Sequence, residues 1–491
     1  MYLMQKLLST FMFIVMLLGV ATAASLDGVY HADRFRVYFK NDLGSIEVLE
    51  TRGGAITGFE SFDQLLLEVG ATNVKQWLPK ATDFDRDGDI FLSRFYEVTL
   101  PDVRMNIQEV VSEFSSDEHI LFAERVPIYR LDYEPNDPKY SQQWYIPQVT
   151  ADDAWDMWDI AGGDNPGDEN IVVGIVDTGC DWDHPDLIDN LWQNLDEDYD
   201  GDGATIEYVS GSWQLDSGDL NGVDDDGDSY VDNLIGWDIA MEDNNPVGPP
   251  SGPDRMHGTH VAGVPGATTN NNLGMASIGW TVKHMPIKCA QEDADGIYGG
   301  YNGILCAAQT GADIINCSWG GGGFSGGAQN VINVAYNNYG TIIVASAGNG
   351  DDYGNEEYAA HYPSSYENVI SVTALGTNDV WNHWATYHES VDFAAPGESI
   401  LSTVYANVSG GYQSWMGTSM ASPVVAGSYA LLWSYFPDAD RDWIEQRLLE
   451  TADPVIYDIN TEGYLQGQLG AGRPDVFAAI ASAAFPSLSY Q

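Results

Sequence analysis

The sequence contains few basic residues. Of its 491 residues only 19 are Lys or Arg, whereas 73 are Asp or Glu, which gives a formal net charge of −54. This balance argues against a nucleic acid partner, because polyphosphate binding requires a basic surface. The same excess of carboxylates suits calcium or a salty medium, and it should repel anionic membranes. We interpret most of these carboxylates as a solvated acidic surface.

Cysteine is also scarce. The four cysteines are Cys180, Cys289, Cys306 and Cys317. Their spacing matches neither a zinc site nor a CxxC redox motif, so neither is predicted. In an exported protein, four cysteines allow three complete disulfide pairings, and the sequence does not choose among them. Cys180 is either a reactive thiol or, as we favour, a small buried apolar residue.

A hydrophobic run long enough to cross a membrane is missing. The N-terminal run at residues 7–20 has about 14 residues, whereas a membrane helix needs about 20. Lys6 precedes this run, and the small residues Ala21 and Ala23 follow it, which is the pattern of a cleaved export signal. We therefore predict a signal peptide at residues 1–23 and a secreted, extracellular protein without a membrane span.

Two regions of different pattern follow the signal. Residues 24–133 contain alternating stretches such as FRVYF at 35–39 and ILFAERV at 120–126, which predict a small α+β domain. From residue 134 to 491, apolar strand-like runs alternate with helical stretches, which predicts an α/β fold with a parallel sheet flanked by helices. Strands are predicted at 171–176, 282–287, 313–317, 341–345 and 369–373, and helices at 257–264, 301–309, 328–338, 419–435, 440–451 and 474–483. We find no internal repeat.

Three polar residues stand at predicted element ends. Asp177 directly follows the apolar strand 171–176, so its carboxylate is predicted at the carboxyl edge of the sheet, where α/β folds bind ligands. His257 opens the small-residue stretch HGTHVAG. Ser419 lies at the start of a long apolar helix, where backbone N–H groups favour negative charge. Taken singly, such an Asp is typical of a turn and such a Ser of a helix cap. Together they are the groups that acyl transfer to water requires.

The motifs around these residues resemble a known family. VDTG at 176–179, HGTH at 257–260 and GTSMASP at 417–423 are similar to the three active-site signatures of the subtilisin-like serine proteases, the subtilases or peptidase S8 family. The order Asp, His, Ser is also that of subtilisin. The resemblance covers residues 140–484 and implies a three-layer subtilisin-like fold. It implies an endopeptidase with Asp177, His257 and Ser419 as a catalytic triad, and His260 in a packing role.

The resemblance also implies an oxyanion hole and a substrate cleft. Asn349, in SAGN at 346–349, matches the residue whose side-chain amide holds the oxyanion, together with the Ser419 backbone N–H. As an Asn-Gly pair it is also typical of a turn. Extended substrate is expected to add as a strand. Its binding residues are expected in two walls, Ser318, Trp319 and Gly320 in one, and Ala347 and Gly348 within 345–348 in the other.

Calcium is the cofactor that we expect, in a structural role. Residues 224–232 place Asp224, Asp226, Asp228 and Asp232 on a Gly-bearing loop, which suits a hard cation, and DYDGD at 198–202 is similar in composition. The alternative is a disordered acidic loop. Independently, the resemblance implies a calcium site with Asp186 and Asn271 as ligands. The acidic turn at 83–89 is a weaker candidate and is also typical of a hairpin. No organic cofactor is expected.

We predict that residues 24–133 form a propeptide and residues 134–491 the catalytic domain. The propeptide would assist folding and inhibit the cleft until a cut between Tyr129 and Tyr140, so the enzyme would be made as a zymogen and act on proteins or peptides as a monomer. Two alternatives stay open. One is a catalytically silent, calcium-loaded adhesion protein of the same fold. The other is a processing protease dedicated to one partner.

Overall fold

The computed structural model describes residues 30–44, 46, 48–51, 54–101, 107–127, 133–293, 296–351 and 353–484. The chain divides into two compact units, Met1–Leu131 and Asp132–Gln491. The predicted signal peptide at residues 1–23 lies outside the described residues, as do residues 129–132 of the segment predicted to contain the cut. Among the described residues, no helix is both long and apolar enough to cross a membrane.

The first unit is built on an antiparallel sheet. Phe35 and Val37 alternate with polar neighbours along the first strand, and they are completely buried against Phe62 and Phe114 of two helices. The rings of Phe35 and Phe114 meet edge to face at 4.7 Å. The sheet order is Asn73–Gln76, Phe95–Thr99, Tyr30–Phe39 and Ile120–Pro127. The helices are Glu60–Glu68 and Ile107–Ser115, and the hairpins are Leu49–Thr51 with Gly54–Ile56 and Arg86–Asp87 with Ile90–Phe91. The α+β prediction is therefore confirmed for the architecture, and the turn at 83–89 is part of a hairpin.

The second unit contains a seven-stranded parallel sheet. Its order is Trp237–Asp238, Lys283–Lys288, Val172–Asp177, Ile314–Cys317, Ile342–Ser346, Ile370–Leu375 and Phe393–Pro396. Its longer helices are His257–Gly266, Gly300–Gln309, Gly326–Tyr339, Thr418–Tyr435, Arg441–Glu450 and Val476–Ala484, and its short ones are Tyr145–Gln148, Ala151–Trp155 and Ile456–Ile459. Two-stranded pairs join Ile206–Val209 to Ser212–Leu215, Ile400–Thr403 to Tyr412–Trp415, and Glu357–Tyr358 to Thr386–Tyr387. The α/β fold class is confirmed.

The central strand Val172–Asp177 is covered on both faces of the sheet. All six of its residues are buried. Val172 and Val176 pack with residues of the helices Gly300–Gln309 and Gly326–Tyr339 in one apolar cluster. Because side chains alternate along a strand, Asp177 points away from that cluster. A Cβ added at Gly258 would lie 3.2 Å from the Asp177 Cβ, so Asp177 faces the helix His257–Gly266.

The four cysteines are packing residues. Cys180, Cys289, Cys306 and Cys317 are free thiols with no measurable exposure. Burial raises the pKa of each thiol above its ordinary value, to about 12 for Cys306. A buried thiol of this kind is a poor nucleophile, because the thiolate is the reactive form. The favoured interpretation of Cys180 as a small buried residue agrees with this environment.

Candidate active site

The carboxylate of the site is provided by Asp177. It is the last residue of the central strand, at the carboxyl edge of the sheet, and it is completely buried. Its Oδ1 accepts the backbone N–H of Thr178 at 2.7 Å. Its Oδ2 has no hydrogen-bond partner among the described residues. A buried carboxylate with a spare oxygen is a strong electrostatic partner for a neighbouring imidazole.

That imidazole belongs to His257, the first residue of the helix His257–Gly266. Its Nδ1 lies 2.7 Å from Asp177 Oδ1, and its side chain is about one-fifth exposed. The next residue, Gly258, donates its N–H to Thr178 Oγ1 at 3.0 Å, which holds the helix start against the strand end. Burial by itself would lower the pKa of His257. The charge and hydrogen bond of Asp177, with a smaller effect of Asp254, outweigh burial and raise this pKa.

His260 occupies a different environment one turn further along the helix. It is completely buried, and its Nε2 lies 3.1 Å from the carbonyl oxygens of both Ile400 and Gln413. Its ring stacks on Trp415 with 4.5 Å between centroids. Burial lowers the pKa of His260 to about 3. The environment is that of a neutral packing residue, in keeping with the role expected for His260.

The hydroxyl comes from Ser419, the second residue of the helix Thr418–Tyr435. Ser419 is partly exposed, and its Oγ donates to the carbonyl oxygen of Ser318 at 3.0 Å. The Ser318 backbone lines the same cleft as Asp177 and His257. Asp177 and His257 therefore line this cleft, and Ser419 is hydrogen-bonded to its wall at Ser318. The described hydrogen bond of Ser419 nevertheless goes to this carbonyl and not to His257.

A buried hydrogen-bond chain fixes the start of the Ser419 helix. Ser422 Oγ donates to Asn316 Oδ1 at 2.7 Å, and Asn316 Nδ2 donates to Ser318 Oγ at 2.8 Å. Ser318 Oγ in turn donates to the carbonyl of Ser419 at 2.7 Å. Sequence reasoning missed Asn316 and Ser422. Asn316 stands in an apolar strand, and a polar residue in such a strand was the one available signal.

Asn349 lies beside the same helix start. Its Oδ1 accepts the N–H of Thr418 at 2.8 Å and the Thr418 hydroxyl at 2.9 Å. Because Thr418 binds the amide oxygen, the amide nitrogen Nδ2 points away from Thr418 N and Oγ1. A Cβ added at Gly417 would lie 3.7 Å from Nδ2, which places the amide next to the Ser419 loop. The residue is exposed, so the amide N–H groups are available to a ligand.

The cleft has a volume of about 320 Å³, and its lining includes all three residues of one predicted substrate wall. It is lined by Asp177, Thr178, Asp254, His257, Gly296, Ile297, Ser318, Trp319 and Gly320. Trp319 donates its indole N–H to the carbonyl of Val176 at 2.8 Å and meets the ring of Tyr301 edge to face. Its indole is therefore fixed beside the Asp177 strand end. The cleft walls near His257 are the ones predicted from the Ser318–Trp319–Gly320 segment.

Ala347 and Gly348 belong to the other predicted wall. His361 lies between Gly348 of this wall and Gly320 of the first wall. A Cβ added at Gly320 would be 2.2 Å from His361 Cε1, and one added at Gly348 would be 3.0 Å from His361 Cδ2. The imidazole is fixed by a contact of 3.1 Å between its Nδ1 and the Ser346 carbonyl. Ala347 is almost completely buried. Sequence reasoning missed His361, because no local pattern shows that it reaches two glycines in other segments.

Asp186 and Asn271 are in direct contact. Asn271 Nδ2 donates to Asp186 Oδ1 at 2.8 Å, while Met275 N–H and the Tyr412 hydroxyl donate to Asp186 Oδ2 at 2.9 and 3.1 Å. The Asn271 Oδ1 accepts the N–H of Leu273 at 2.7 Å. Thus the amide presents nitrogen, not oxygen, to Asp186. The structure therefore brings these two predicted ligands into direct contact.

The second predicted metal set is only partly brought together. Oxygens of Asp224 and Asp226 lie within 4.8 Å of each other and of an oxygen of Glu197. Asp228 instead accepts from Tyr230 N–H and Asn233 Nδ2, and Asp232 accepts the N–H groups of Asn221 and Gly222. Sequence reasoning missed Glu197, which is hidden in an acidic run. Glu197 is completely buried, and its Oε2 has no partner among the described residues, which fits a cation ligand.

The fold and the site together define a class of protein. An acidic group and an imidazole are in contact at the carboxyl edge of a parallel sheet, and a hydroxyl is hydrogen-bonded to the wall of the cleft that they line. Open α/β folds bind substrates at this edge, and this set of groups performs acyl transfer. The class is that of α/β hydrolytic enzymes of the serine type.

Comparisons with known proteins identify the family. The subtilase family profile matches residues 168–472. A thermophilic serine proteinase from Bacillus sp. (strain AK1) is 32% identical over 79% of this chain and 78% of its own length. A halolysin-like extracellular serine protease (Nep) from Natrialba magadii is 32% identical over 74% of this chain and 56% of its own length. Among solved structures, a protease from Pseudoalteromonas arctica PAMC 21717 is 28% identical, with a TM-score of 0.50, over 72% of this chain and 100% of that one.

The chain therefore belongs to the subtilase family. It is a serine-type endopeptidase that acts on protein substrates, as the resemblance of its three motifs implied. Several of its relatives carry the word extracellular in their names.

Proposed function

We propose that the chain is a secreted endopeptidase that cleaves peptide bonds through an acyl-enzyme, with Asp177, His257 and Ser419 as its triad. The observation that carries the proposal is the 2.7 Å contact between Asp177 Oδ1 and His257 Nδ1. This contact fixes the proton on Nδ1 and leaves Nε2 as the basic nitrogen. The Asp177 carboxylate stabilises the imidazolium that forms when His257 takes up a proton.

Ser419 would be the nucleophile. We infer that its hydroxyl leaves the Ser318 carbonyl and turns to His257 Nε2 when a peptide enters the cleft. Catalytic hydrogen bonds are often absent or long in unliganded enzymes and form in the substrate complex. The Oγ then attacks the scissile carbonyl, while its proton passes to His257 and later to the leaving amine. Water hydrolyses the acyl-enzyme by the reverse sequence of proton transfers.

Asn349 and the Ser419 backbone N–H would hold the oxyanion. The amide oxygen of Asn349 is bound by Thr418, which leaves the NH₂ group, beside Gly417, as the donor to the oxyanion. The Ser419 N–H lies at a helix N-terminus, where the helix dipole adds to the effect. Donors fixed in advance stabilise the transition state without reorganisation.

A serine-directed fluorophosphonate tests the nucleophile. The purified chain is expected to gain one adduct, on Ser419, by intact mass and peptide mapping. Ser419→Ala should gain none, and His257→Ala should react far more slowly because the hydroxyl loses its base. Ser434→Ala is a matched control, since Ser434 lies near the other end of the same helix, where its hydroxyl donates to the carbonyl of Ala430, and its loss should leave Ser419 reactive. An unmodified wild-type chain, or an adduct on another serine, would contradict the assignment and favour a silent protein of this fold.

Asn349→Asp tests the oxyanion role. An aspartate keeps the oxygen that accepts from Thr418 but replaces the donating amide with a second oxygen. We expect kcat to fall by about 10²–10³ or more, with KM nearly unchanged, because removal of one oxyanion donor costs this much. A loss that appears mainly in KM would place Asn349 in ground-state binding instead.

Secretion and activation from a zymogen are the next elements of the proposal. The extracellular names of relatives support export. We infer that residues 1–23 are removed as a signal and that residues 24–133 act as a propeptide. Protein recovered from the culture medium is expected to begin between residues 129 and 140, whereas Ser419→Ala should retain residues 24–133. Wild-type enzyme that is fully active and stable with that segment attached would contradict the propeptide role.

Calcium completes the proposal as a structural cofactor. The residues that would hold it are Glu197, Asp224 and Asp226, whose oxygens converge, and the orphan Glu197 Oε2 supports this choice. A bound divalent cation would neutralise these carboxylates and brace the surrounding loop; no step of peptide hydrolysis involves it. Chelation with EDTA should lower the Tm of Ser419→Ala and leave that of Ser419→Ala/Glu197→Gln less affected. Equal changes in both would contradict this site.

A further inference from the structure

The segment between the first two catalytic motifs holds two similar loops. We call residues 194–238 the acidic insert, residues 198–204 (DYDGDGA) its first loop and residues 224–230 (DDDGDSY) its second loop. Each loop has Asp at its first, third and fifth positions and Gly at its fourth. The insert contains many carboxylates and no Lys or Arg. Side chains of the insert itself therefore cannot neutralise its charge.

The two loops have the same backbone hydrogen bonds. In each, the Asp at the first position accepts the N–H groups of positions four and six, at 2.8 and 2.8 Å in the first loop and 2.7 and 3.0 Å in the second. The Asp at the third position accepts the N–H of position five, and the Asp at the fifth position accepts the N–H of position seven. The insert thus contains a structural repeat that its sequence analysis did not reveal.

Each loop also receives a buried carboxylate from beside the other loop. Glu197, which directly precedes the first loop, accepts the N–H groups of positions two and three of the second loop at 2.8 and 3.2 Å. Asp219, which precedes the second loop, accepts the N–H groups of positions two and three of the first loop at 2.9 and 3.3 Å. Each of these two carboxylates therefore precedes one loop in the chain and binds the backbone of the other loop.

The carboxylates of Glu197 and Asp219 each have one oxygen without a hydrogen-bond donor. Glu197 Oε2 and Asp219 Oδ2 have no partner among the described residues, and both side chains are fully shielded from solvent. A buried carboxylate oxygen without a donor or counter-charge is unfavourable. A cation that binds oxygen would supply both a partner for this oxygen and a counter-charge for the carboxylate. This observation is independent of the loop geometry and holds at both loops.

The chain segment that carries Asp219 lies beside the acidic cluster of the first loop. Oxygens of Asp198, Asp200 and Asp202 lie within 4.8 Å of one another. A Cβ added at Gly218, the residue before Asp219, would be 2.2 Å from Asp200 Oδ2 and 3.1 Å from Asp216 Oδ1. Residue 218, which precedes Asp219, therefore packs directly against Asp200, at the third position of the first loop.

We propose that the first loop is a second calcium site, formed by Asp198, Asp200, Asp202 and Asp219, and that its ion binds cooperatively with an ion in the second loop. The coupling rests on the calcium site proposed above for Glu197, Asp224 and Asp226. An ion in the second loop holds Glu197, which is joined by one peptide bond to the first ligand of the first loop. An ion in the first loop holds Asp219, which precedes the second loop. Each ion thus orders part of the other site.

Calcium titration of the inactive full chain tests the proposal. Ser419→Ala protein is stripped with EDTA, dialysed and titrated with CaCl₂ by isothermal calorimetry. Adding Asp219→Asn should remove one ion from the stoichiometry and weaken the second-loop ion by about tenfold. Adding Glu197→Gln should remove the other ion and weaken the first-loop ion similarly. The matched control is Asp196→Asn, which neutralises the exposed carboxylate directly before Glu197 and should change neither ion.

The outcomes separate this proposal from the site on which it rests. Unchanged stoichiometry and affinity in Asp219→Asn would overturn the second site, even if Glu197→Gln loses its ion. Loss of one ion in each variant without any weakening of the other ion would overturn the coupling. An unaffected Glu197→Gln variant would contradict the site of the proposed function instead. If near-UV circular dichroism shows that Asp219→Asn is misfolded, the exposed Asp200→Asn is titrated, with the same expected loss of one ion.

Discussion

His257 illustrates how opposing effects set the reactivity of one residue. Burial disfavours the imidazolium, whereas the Asp177 carboxylate and its hydrogen bond favour it, and the sum raises the pKa of His257 above its ordinary value of about 6.5. Peptide hydrolysis requires the neutral imidazole as the base. Activity should therefore rise with pH as His257 loses its proton, with a midpoint above about 6.5.

Asp177→Asn tests this balance. The variant removes the charge that raises the pKa of His257, so the acid limb of kcat/KM should move to lower pH. It also removes the acceptor that fixes the imidazole tautomer, so kcat should fall by about 10⁴. Stopped assays with a chromogenic peptide between about pH 5 and 9 measure both effects.

Asp254→Asn is the matched control for that experiment. Asp254 is exposed and makes the smallest contribution to the pKa of His257. Neutralising it should move the acid limb slightly in the same direction and leave kcat near the wild-type value. If the pH profile of Asp177→Asn coincides with that of the wild type, Asp177 does not set the pKa of His257.

His361 is expected to restrict the residue on the amino side of the scissile bond. Its ring lies between Gly320 and Gly348, the walls that would hold that side chain. The wild type should therefore prefer small side chains there. His361→Ala should raise kcat/KM for Phe and Leu substrates by about 10- to 100-fold relative to Ala substrates, because a filled apolar pocket discriminates on this scale.

A peptide series that varies this one position measures the change. The matched control is His383→Ala, since His383 is largely exposed and paired with Glu356. Broad cleavage by the wild type, with no change in His361→Ala, would show that the ring is not a barrier. A strict wild-type preference would instead favour the processing protease among the alternatives.

The residues found from sequence differ in kind from those that were missed. Asp177, His257 and Ser419 stand in contiguous motifs whose neighbours are constrained by the same site, so short stretches identify them. Glu197, Asp219 and His361 act through contacts with segments that are distant in the chain. Burial and a carboxylate oxygen without a donor distinguish Glu197 and Asp219, and close approach to Gly320 and Gly348 distinguishes His361. None of these properties is visible in local sequence.

The helix Gly300–Gln309 packs closely against the sheet because residue 303 is a glycine. A Cβ added at Gly303 would lie 2.5 Å from Cys289 Sγ and 2.7 Å from Val176 Cγ1. Gly303→Ala should reduce the free energy of unfolding by about 1–3 kcal/mol through overpacking, despite the better helix propensity of alanine. Urea unfolding in the Ser419→Ala background, with saturating calcium, measures the change without self-digestion.

Gly326→Ala controls for helix propensity in the same experiment. Gly326 begins the helix Gly326–Tyr339, and no atom would lie within 4 Å of an added Cβ. Its substitution should leave stability unchanged or slightly higher. A Gly303→Ala variant that is as stable as Gly326→Ala would mean that the helix shifts away from Val176 at little cost.

The elements that sequence predicted well are those with strong local patterns. The buried strand 171–176 and the helix 419–435 are observed within one residue of their predicted ends, as Val172–Asp177 and Thr418–Tyr435. The edge strands Phe393–Pro396 and Trp237–Asp238 were not predicted. The first contains proline and small residues typical of a turn, and the second has two residues. Both are strands only because a neighbouring strand pairs with them.

For the whole molecule, the net charge of −54 is the dominant feature. Compaction brings like charges closer together, so self-repulsion destabilises the folded state more than the unfolded chain. Salt screens this repulsion, since the Debye length falls from roughly 14 to 4 Å between about 0.05 and 0.5 M. We therefore expect the urea midpoint of Ser419→Ala to rise with NaCl over this range at fixed, saturating calcium.

The comparison of salts separates screening from specific binding. KCl should raise the urea midpoint as much as NaCl does, because screening depends on ionic strength and not on the cation. A neutral osmolyte at equal osmolality controls for general exclusion effects. A midpoint that falls with salt would mean that attractive ion pairs outweigh the repulsion. That result is not expected from a chain with 19 basic and 73 acidic residues, because most carboxylates have no basic partner to lose.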